Sequence, residues 1–177
     1  MCVVGSIPTF ATMAIVYKKG DVLNSGERVI VHGCNCFNTM GSGMAKQIKK
    51  QYPEAYKIDQ TTHKGDRGKL GRFTHAVCDD VTIVNAYTQY RYGRDKVYAD
   101  YDAIKRALSR VCVDIREKTI AMPKIGCGLA GGDWDVVSEI LESVSERYGR
   151  TFHVYLGGPE WVEEEPEVSS KFFDHSY

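Results

Sequence analysis

Apolar residues along this chain come in short bursts separated by polar, glycine-containing stretches. Arg28 to His32 holds Val29-Ile30-Val31, an unbroken apolar run that suits a strand buried on both faces of a sheet. Met13 to Tyr17, Thr119 to Met122 and Thr151 to Leu156 are further short strand-like runs, and Phe73 to Val77 with Val81 to Tyr87 look like two strands joined at Asp79-Asp80. Elsewhere the spacing turns helical. Met44, Ala45, Ile48 and Tyr52 share one face, Ile104, Leu108, Val111 and Ile115 form a stripe within Tyr101 to Lys118, and Val136, Val137, Ile140, Leu141 and Val144 form a third. Pro53 disturbs the first of these helices, and Thr61 to Leu70 reads as a polar loop. Strands alternating with helices predict an α/β layer fold on a mostly parallel sheet. No internal repeat is visible.

The chain has 177 residues and is 43% hydrophobic, which suits one domain with a real core. We expect that domain at 13–157, with residues 1–12 an N-terminal extension and 158–177 an acidic surface tail around Glu163-Glu164-Glu165. Lys plus Arg (23) equals Asp plus Glu (23), so an anionic ligand has to be held by local geometry rather than by an overall field. The six cysteines (Cys2, Cys34, Cys36, Cys78, Cys112 and Cys127) are scattered through a chain too long to need disulfide staples. They read as reduced thiols, hence a cytoplasmic protein. No run approaches the roughly 20 apolar residues that span a bilayer, and no basic segment precedes the mildly apolar start, so neither membrane association nor a signal peptide is expected.

Candidate chemistry lies in two glycine-rich loops. The first, Gly33-Cys34-Asn35-Cys36-Phe37-Asn38-Thr39-Met40-Gly41-Ser42-Gly43, leads into Met44-Ala45. Glycines let backbone N–H groups approach a phosphate, and a following helix N-terminus adds partial positive charge. The alternative is a tight turn that merely starts a helix. The second, Gly126-Cys127-Gly128-Leu129-Ala130-Gly131-Gly132, formally fits G-x-G-x-x-G. A dinucleotide fingerprint should open a fold with further βα units and a downstream acidic residue. This loop comes near the end, so it is better read as the second wall of a cleft. His32, Cys34 and Cys36 alternate along the chain, but such tight spacing is poor for tetrahedral zinc and no partner Cys-x-x-Cys exists. No metal and no cofactor are expected.

Taken in order, Lys19-Gly20-Asp21-Val22, then Ile30-Val31-His32-Gly33-Cys34-Asn35 with Gly41-Ser42-Gly43-Met44-Ala45, then Met122-Pro123-Lys124-Ile125-Gly126-Cys127-Gly128-Leu129 with Trp134 resemble the macro domain (Appr-1-p processing) family. The match runs from about Ile15 to Leu156. Within it, His-x-Cys-Asn-Cys followed by Gly-x-Gly-x-Ala is similar to the yeast-type ADP-ribose 1''-phosphate phosphatases and their phage and bacterial relatives. Gly-Cys-Gly-x-x-Gly-Gly-Asp-Trp is similar to the branch that removes ADP-ribose from glutamate and DNA. The resemblance implies a three-layer α/β/α fold with a mixed, mostly parallel six-stranded sheet. It also implies a monomer that binds an ADP-ribose derivative, with ADP-ribosylated protein or nucleic acid as the larger alternatives.

By resemblance, Asp21 accepts a hydrogen bond from the adenine amino group, supported by the Val22 backbone; the alternative is a turn cap. Asn35 bonds the distal ribose, or else its own loop. Gly41, Ser42, Gly43 and Met44 hold the diphosphate from one side, and Gly126, Cys127, Gly128, Leu129, Ala130 and Gly131 from the other. Three residues form the catalytic set. Asn35 orients the ribose. His32 titrates near neutrality and passes a proton, unless it is a buried structural histidine. Asp133 orients water, unless it caps the helix that Trp134 begins. The glutamate- and DNA-deglycosylating branch has a lysine where this chain has Gln89, and part of it an Asp where this chain has Ala130, which argues against a lysine-dependent mechanism. Tyr90, Tyr92 and Arg94 either pack on the distal ribose side or form a surface loop. Three activities follow: hydrolysis of ADP-ribose 1''-phosphate, release of ADP-ribose from a macromolecule or deacetylation of O-acetyl-ADP-ribose, and binding without catalysis.

Overall fold

The computed structural model describes residues 13–157. The expected extension (1–12) and acidic tail (158–177) lie outside the described residues. Six strands form one sheet: β1 (Ile15–Lys19), β2 (Val29–Asn35), β3 (Phe73–Cys78), β4 (Val81–Gln89), β5 (Thr119–Met122) and β6 (Thr151–Leu156). Their spatial order is β1-β6-β5-β2-β4-β3, with every pairing parallel except β3 with β4. The helices are α1 (Gly43–Gln51), α2 (Pro53–Gln60), α3 (Tyr101–Asp114) and α4 (Trp134–Tyr148).

Alternate residues of the central strands serve opposite faces, as the period of two requires. Val29, Val31, Val84, Ala86, Met122 and Phe152 pack with Ile104, Leu108 and Val111 of α3 and with Val137, Leu141 and Val144 of α4. Ile30, Ile83 and Ala121 point the other way, against Ile48 of α1 and Ala55 of α2. Helices thus cover both faces, giving the three-layer α/β/α arrangement.

Three local expectations change. Pro53 does not merely disturb a helix; it begins α2, because proline's missing N–H costs nothing in a first turn. Thr61 to Leu70 is not all loop. It contains a 3₁₀ turn, Arg67–Lys69, in which Lys69 is buried. α3 stops at Asp114, so Ile115 leaves the helix yet still packs against the core.

Candidate functional site

β2 and β5 are neighbours in the sheet, but β2 feeds α1 on one face and β5 feeds α4 on the other. The two loops diverge from the carboxyl ends of adjacent parallel strands, and such a switch point leaves a crevice between them. A cleft of about 750 Å³ lies there, lined on one side by Gly33 to Asn35 and Gly41 to Ala45 and on the other by Pro123 to Gly126 and Gly128 to Ala130. Gln89, Tyr92, Gly93 and Arg94 close one end, and Gly157 also lines it. The Tyr90, Tyr92 and Arg94 cluster therefore divides: Tyr92 and Arg94 face this cleft and Tyr90 does not.

The walls are built to present backbone donors. Ser42 is the N-cap of α1 but its side chain makes no capping hydrogen bond. The first backbone bond there is Lys46 N–H to Ser42 O, so the amides of Gly43, Met44 and Ala45 have no protein acceptor, as at any uncapped helix start. Across the cleft, Cys127, Gly131 and Gly132 donate to Lys124, Gly128 and Gly126 within their own loop. The amides of Gly128, Leu129 and Ala130 remain unpaired. The two loops approach closely: a Cβ on Gly43, whose φ is +55°, would sit 3.3 Å from Leu129 Cδ1. Lys124 and Arg94 are the cationic side chains of the lining. Among the described residues no carboxylate and no imidazole lines it. The arrangement suits an anion held between opposed amides and a helix N-terminus.

Asn35 lines the cleft and also braces its loop. Its Nδ2 donates to Thr39 O and Oγ1 (3.0 and 2.8 Å), and its Oδ1 accepts from Phe37 N–H at 2.9 Å. One Oδ1 lone pair is left for a ligand hydroxyl. Beneath the loop lies a buried polar network that the sequence did not announce. Lys69 Nζ donates to Asn38 Oδ1 (2.7 Å) and Cys36 O (3.3 Å) and lies 3.8 Å from Asp59 Oδ1. Asp59 Oδ1 in turn accepts from the Tyr87 hydroxyl at 2.8 Å. Burial pushes the Lys69 ammonium down and the Asp59 carboxyl up, both toward neutrality. The network clamps the Cys36–Asn38 bend, where Asn38 is left-handed (φ 57°).

His32 and Asp133 both lie outside the cleft lining, in the structural positions given as their alternatives. His32 is fully buried on the α1/α2 side and is absent from the cleft lining. Its Nε2–H donates to Asn85 Oδ1 at 2.7 Å. That tautomer follows because Asn85 spends its amino group on Ala55 O and Thr74 Oγ1. Burial holds its pKa down at about 4, so at neutral pH it is a neutral core residue, separated from the cleft by Cys34, whose Sγ lies 3.6 Å from its Nε2. Asp133 is exposed and caps α4, its carboxylate accepting from Asp135 N–H at 2.9 Å. Cys127 and Gly131 are outside the lining, and their amides are already paired. Asp21 and Val22 lie outside the lining too. Asp21 caps a 3₁₀ turn, Val22–Asn24, with bonds to Leu23 N–H and Asn24 Nδ2, and Val22 is buried. Cys34 borders the cleft, but burial raises its thiol well above the usual range, which keeps it from acting as a thiolate.

The placement of His32 has a measurable consequence. Its unfolded pKa is near 6.5 and its folded pKa is about 4. Between those values the unfolded chain binds the extra proton, so the stability it contributes is full above pH 6.5 and is lost as pH falls toward 4. Urea unfolding should show about 2 kcal/mol lost from this residue between pH 7.5 and pH 5, and His32→Gln should flatten that part of the profile. Any turnover should stay within about threefold in the same variant. A collapse of rate in a folded His32→Gln protein would return the residue to the mechanism.

The family model described as the macro domain matches residues 31–141. An uncharacterized 17.5 kDa protein of Enterobacteria phage T4 is 36% identical over 155 residues, covering 76% of this chain and 92% of the phage protein. A DNA ADP-ribosyl glycohydrolase of Mycobacterium tuberculosis is 28% identical over 137 residues. That alignment covers 75% of this chain but 39% of the mycobacterial protein. An ADP-ribose 1''-phosphate phosphatase of Saccharomyces cerevisiae is 27% identical over 165 residues, covering 74% of this chain and 93% of the yeast protein.

Proposed function

Because the chain belongs to the macro-domain family, we propose that its cleft binds ADP-ribose and that the protein is a hydrolase of ADP-ribose derivatives, with ADP-ribose 1''-phosphate as substrate. The observation that carries the reading is the pair of unpaired amide sets, Gly43 to Ala45 and Gly128 to Ala130, facing each other across a cleft whose charged side chains are cationic. A diphosphate fits between them. The distal ribose then lies at Asn35, whose free Oδ1 lone pair accepts a hydroxyl. The adenosine extends past Gly157, which packs against Gly20, toward Asp21. The carboxylate of Asp21 keeps lone pairs for an adenine amino group beyond its two local bonds.

Hydrolysis adds water to the 1''-phosphate and releases ADP-ribose and inorganic phosphate. The described lining offers no carboxylate or imidazole to take the proton of that water. Catalysis then rests on positioning by the two loops and on charge stabilisation by their amides, with a phosphate oxygen of the substrate as proton acceptor. A second reading, release of ADP-ribose from a nucleic acid, is favoured by a basic cavity next to this cleft, described below.

ADP-ribose should raise Tm, since a ligand of the native state alone shifts unfolding by mass action. Asn35→Ala should weaken that shift and lower the rate by about tenfold or more, because it removes both a ligand contact and the brace on Thr39. The decisive assay incubates the protein with ADP-ribose 1''-phosphate, O-acetyl-ADP-ribose and ADP-ribosylated protein and resolves each product. Bound but unchanged substrates would make the protein a reader. Saturating ADP-ribose without a Tm shift would remove the ligand assignment itself.

A further inference from the structure

The segment from Gln89 to Asp100 is a wall with two sides. Gln89, Tyr92, Gly93 and Arg94 face the cleft. The other side borders a separate, open cavity of about 430 Å³, whose polar lining is Arg67, Tyr90, Arg91, Lys96, Tyr98 and Asp100. The two hollows share structure: the N–H groups of Tyr98 and Ala99 both donate to Ala130 O (2.8 and 3.2 Å), and Ala130 lines the cleft.

The second cavity is cationic, and its cations lie over aromatic rings rather than against carboxylates. Among the described residues, Arg67, Arg91 and Lys96 form no salt bridge. The one carboxylate of the lining, Asp100, is spent on Ala103 N–H as the cap of α3. Asp95 nearby accepts from the Tyr98 hydroxyl at 2.6 Å. The Arg67 guanidinium lies 3.9 Å over the ring of Tyr90. That ring is itself fixed by its hydroxyl bond to Gly65 O and by edge contact with Phe37. A guanidinium stacked on its face keeps its N–H edge for an in-plane acceptor, which is the geometry that phosphate oxygens meet best. Tyr98 within the cavity and Tyr92 on the rim of the wall, 57% exposed, are flat platforms of the kind on which unpaired bases stack.

We propose that this cavity is a second binding site, for the phosphodiester backbone of a single-stranded polynucleotide, and that it holds the strand bearing an ADP-ribose unit seated in the cleft. The second clause rests on the cleft reading above; the first does not. Several cations free of salt bridges, with interleaved aromatics, match a repeating phosphate better than a lone anion, and they match a nucleotide strand better than an acidic peptide, which has no bases to stack. With 23 basic and 23 acidic residues in the chain, such binding would come from this patch rather than from general polycation character.

The test uses fluorescently labelled, unmodified oligo(dT) and oligo(rU), read by anisotropy across a salt series, with poly-glutamate as competitor. The wild-type protein should bind the oligonucleotides, whichever sugar is preferred, and poly-glutamate should compete poorly. The double variant Arg67→Gln, Arg91→Gln should bind about tenfold more weakly, and its log affinity against log salt should flatten by about 1.4, or about 0.7 per lost phosphate contact. Both arginines are exposed, so the fold is not at stake, and the Tm shift with free ADP-ribose should be unchanged in the variant. Absence of wild-type binding at low salt, an unaltered double variant, or equal competition by poly-glutamate would each overturn the proposal. Oligonucleotide binding without an ADP-ribose Tm shift would overturn the cleft reading and the coupling, and leave the second site standing.

Discussion

Gly43→Glu should abolish ADP-ribose binding, weakening it by at least about 100-fold, because like-charge juxtaposition costs several kcal/mol. The substitution places a carboxylate among the unpaired amides of Gly43, Met44 and Ala45, where a diphosphate would sit. The position is also tight, with φ at +55° and Leu129 Cδ1 3.3 Å from where a Cβ would stand. Gly43→Ala separates the two effects. It carries the backbone strain and the Leu129 contact, at about 1 kcal/mol of stability, without the charge. Calorimetry with ADP-ribose on folded Gly43→Glu protein is the measurement. Retained affinity there would show that the phosphates lie elsewhere.

Lys69→Met should cost about 3–5 kcal/mol in urea unfolding, since removing one partner of a buried pair strands the other charge. Lys69 and Asp59 are nearly inaccessible, with side chains 7% and 2% exposed. The stranded carboxylate would take up a proton, so the deficit should shrink as pH falls. Lys69→Met combined with Asp59→Asn should recover part of the loss, which a double-mutant cycle would read as coupling. Since Lys69 also holds Cys36 O and Asn38 Oδ1, the single variant should bind ADP-ribose more weakly even at temperatures where it is folded. Full affinity in a destabilised Lys69→Met protein would detach the network from the cleft.

Much of the architecture was legible along the chain. The bounds expected for the strands Thr119–Met122 and Thr151–Leu156 are those observed. The stripe of Ile104, Leu108 and Val111 does face the core. Both glycine loops were visible as candidate cleft walls, because glycine content and a following helix are local properties. The differences arise where a neighbour decides. β2 was expected to end at His32, yet it continues to Asn35 because Gly33 and Cys34 find partners in Ala86 and Tyr87. His32 was read as a proton carrier at the cleft. Strand periodicity assigns it a face, but only the packing shows that α1 and α2 cover that face and that Asn85, 53 residues away, accepts its Nε2–H hydrogen bond. Lys69 stood in a polar stretch and carried no signal of burial.

The sequence by itself therefore determined the alternation of strands and helices, the family and the two loops able to present bare amides, since each depends on side-chain periodicity or backbone freedom within a few residues. The tertiary structure alone decided that β2 and β5 are neighbours, which turns two separate loops into one cleft. It also decided which polar side chains are buried with partners and which line that cleft. Those outcomes depend on contacts between residues distant along the chain, and no local pattern encodes the cost of leaving a buried donor or charge unpaired.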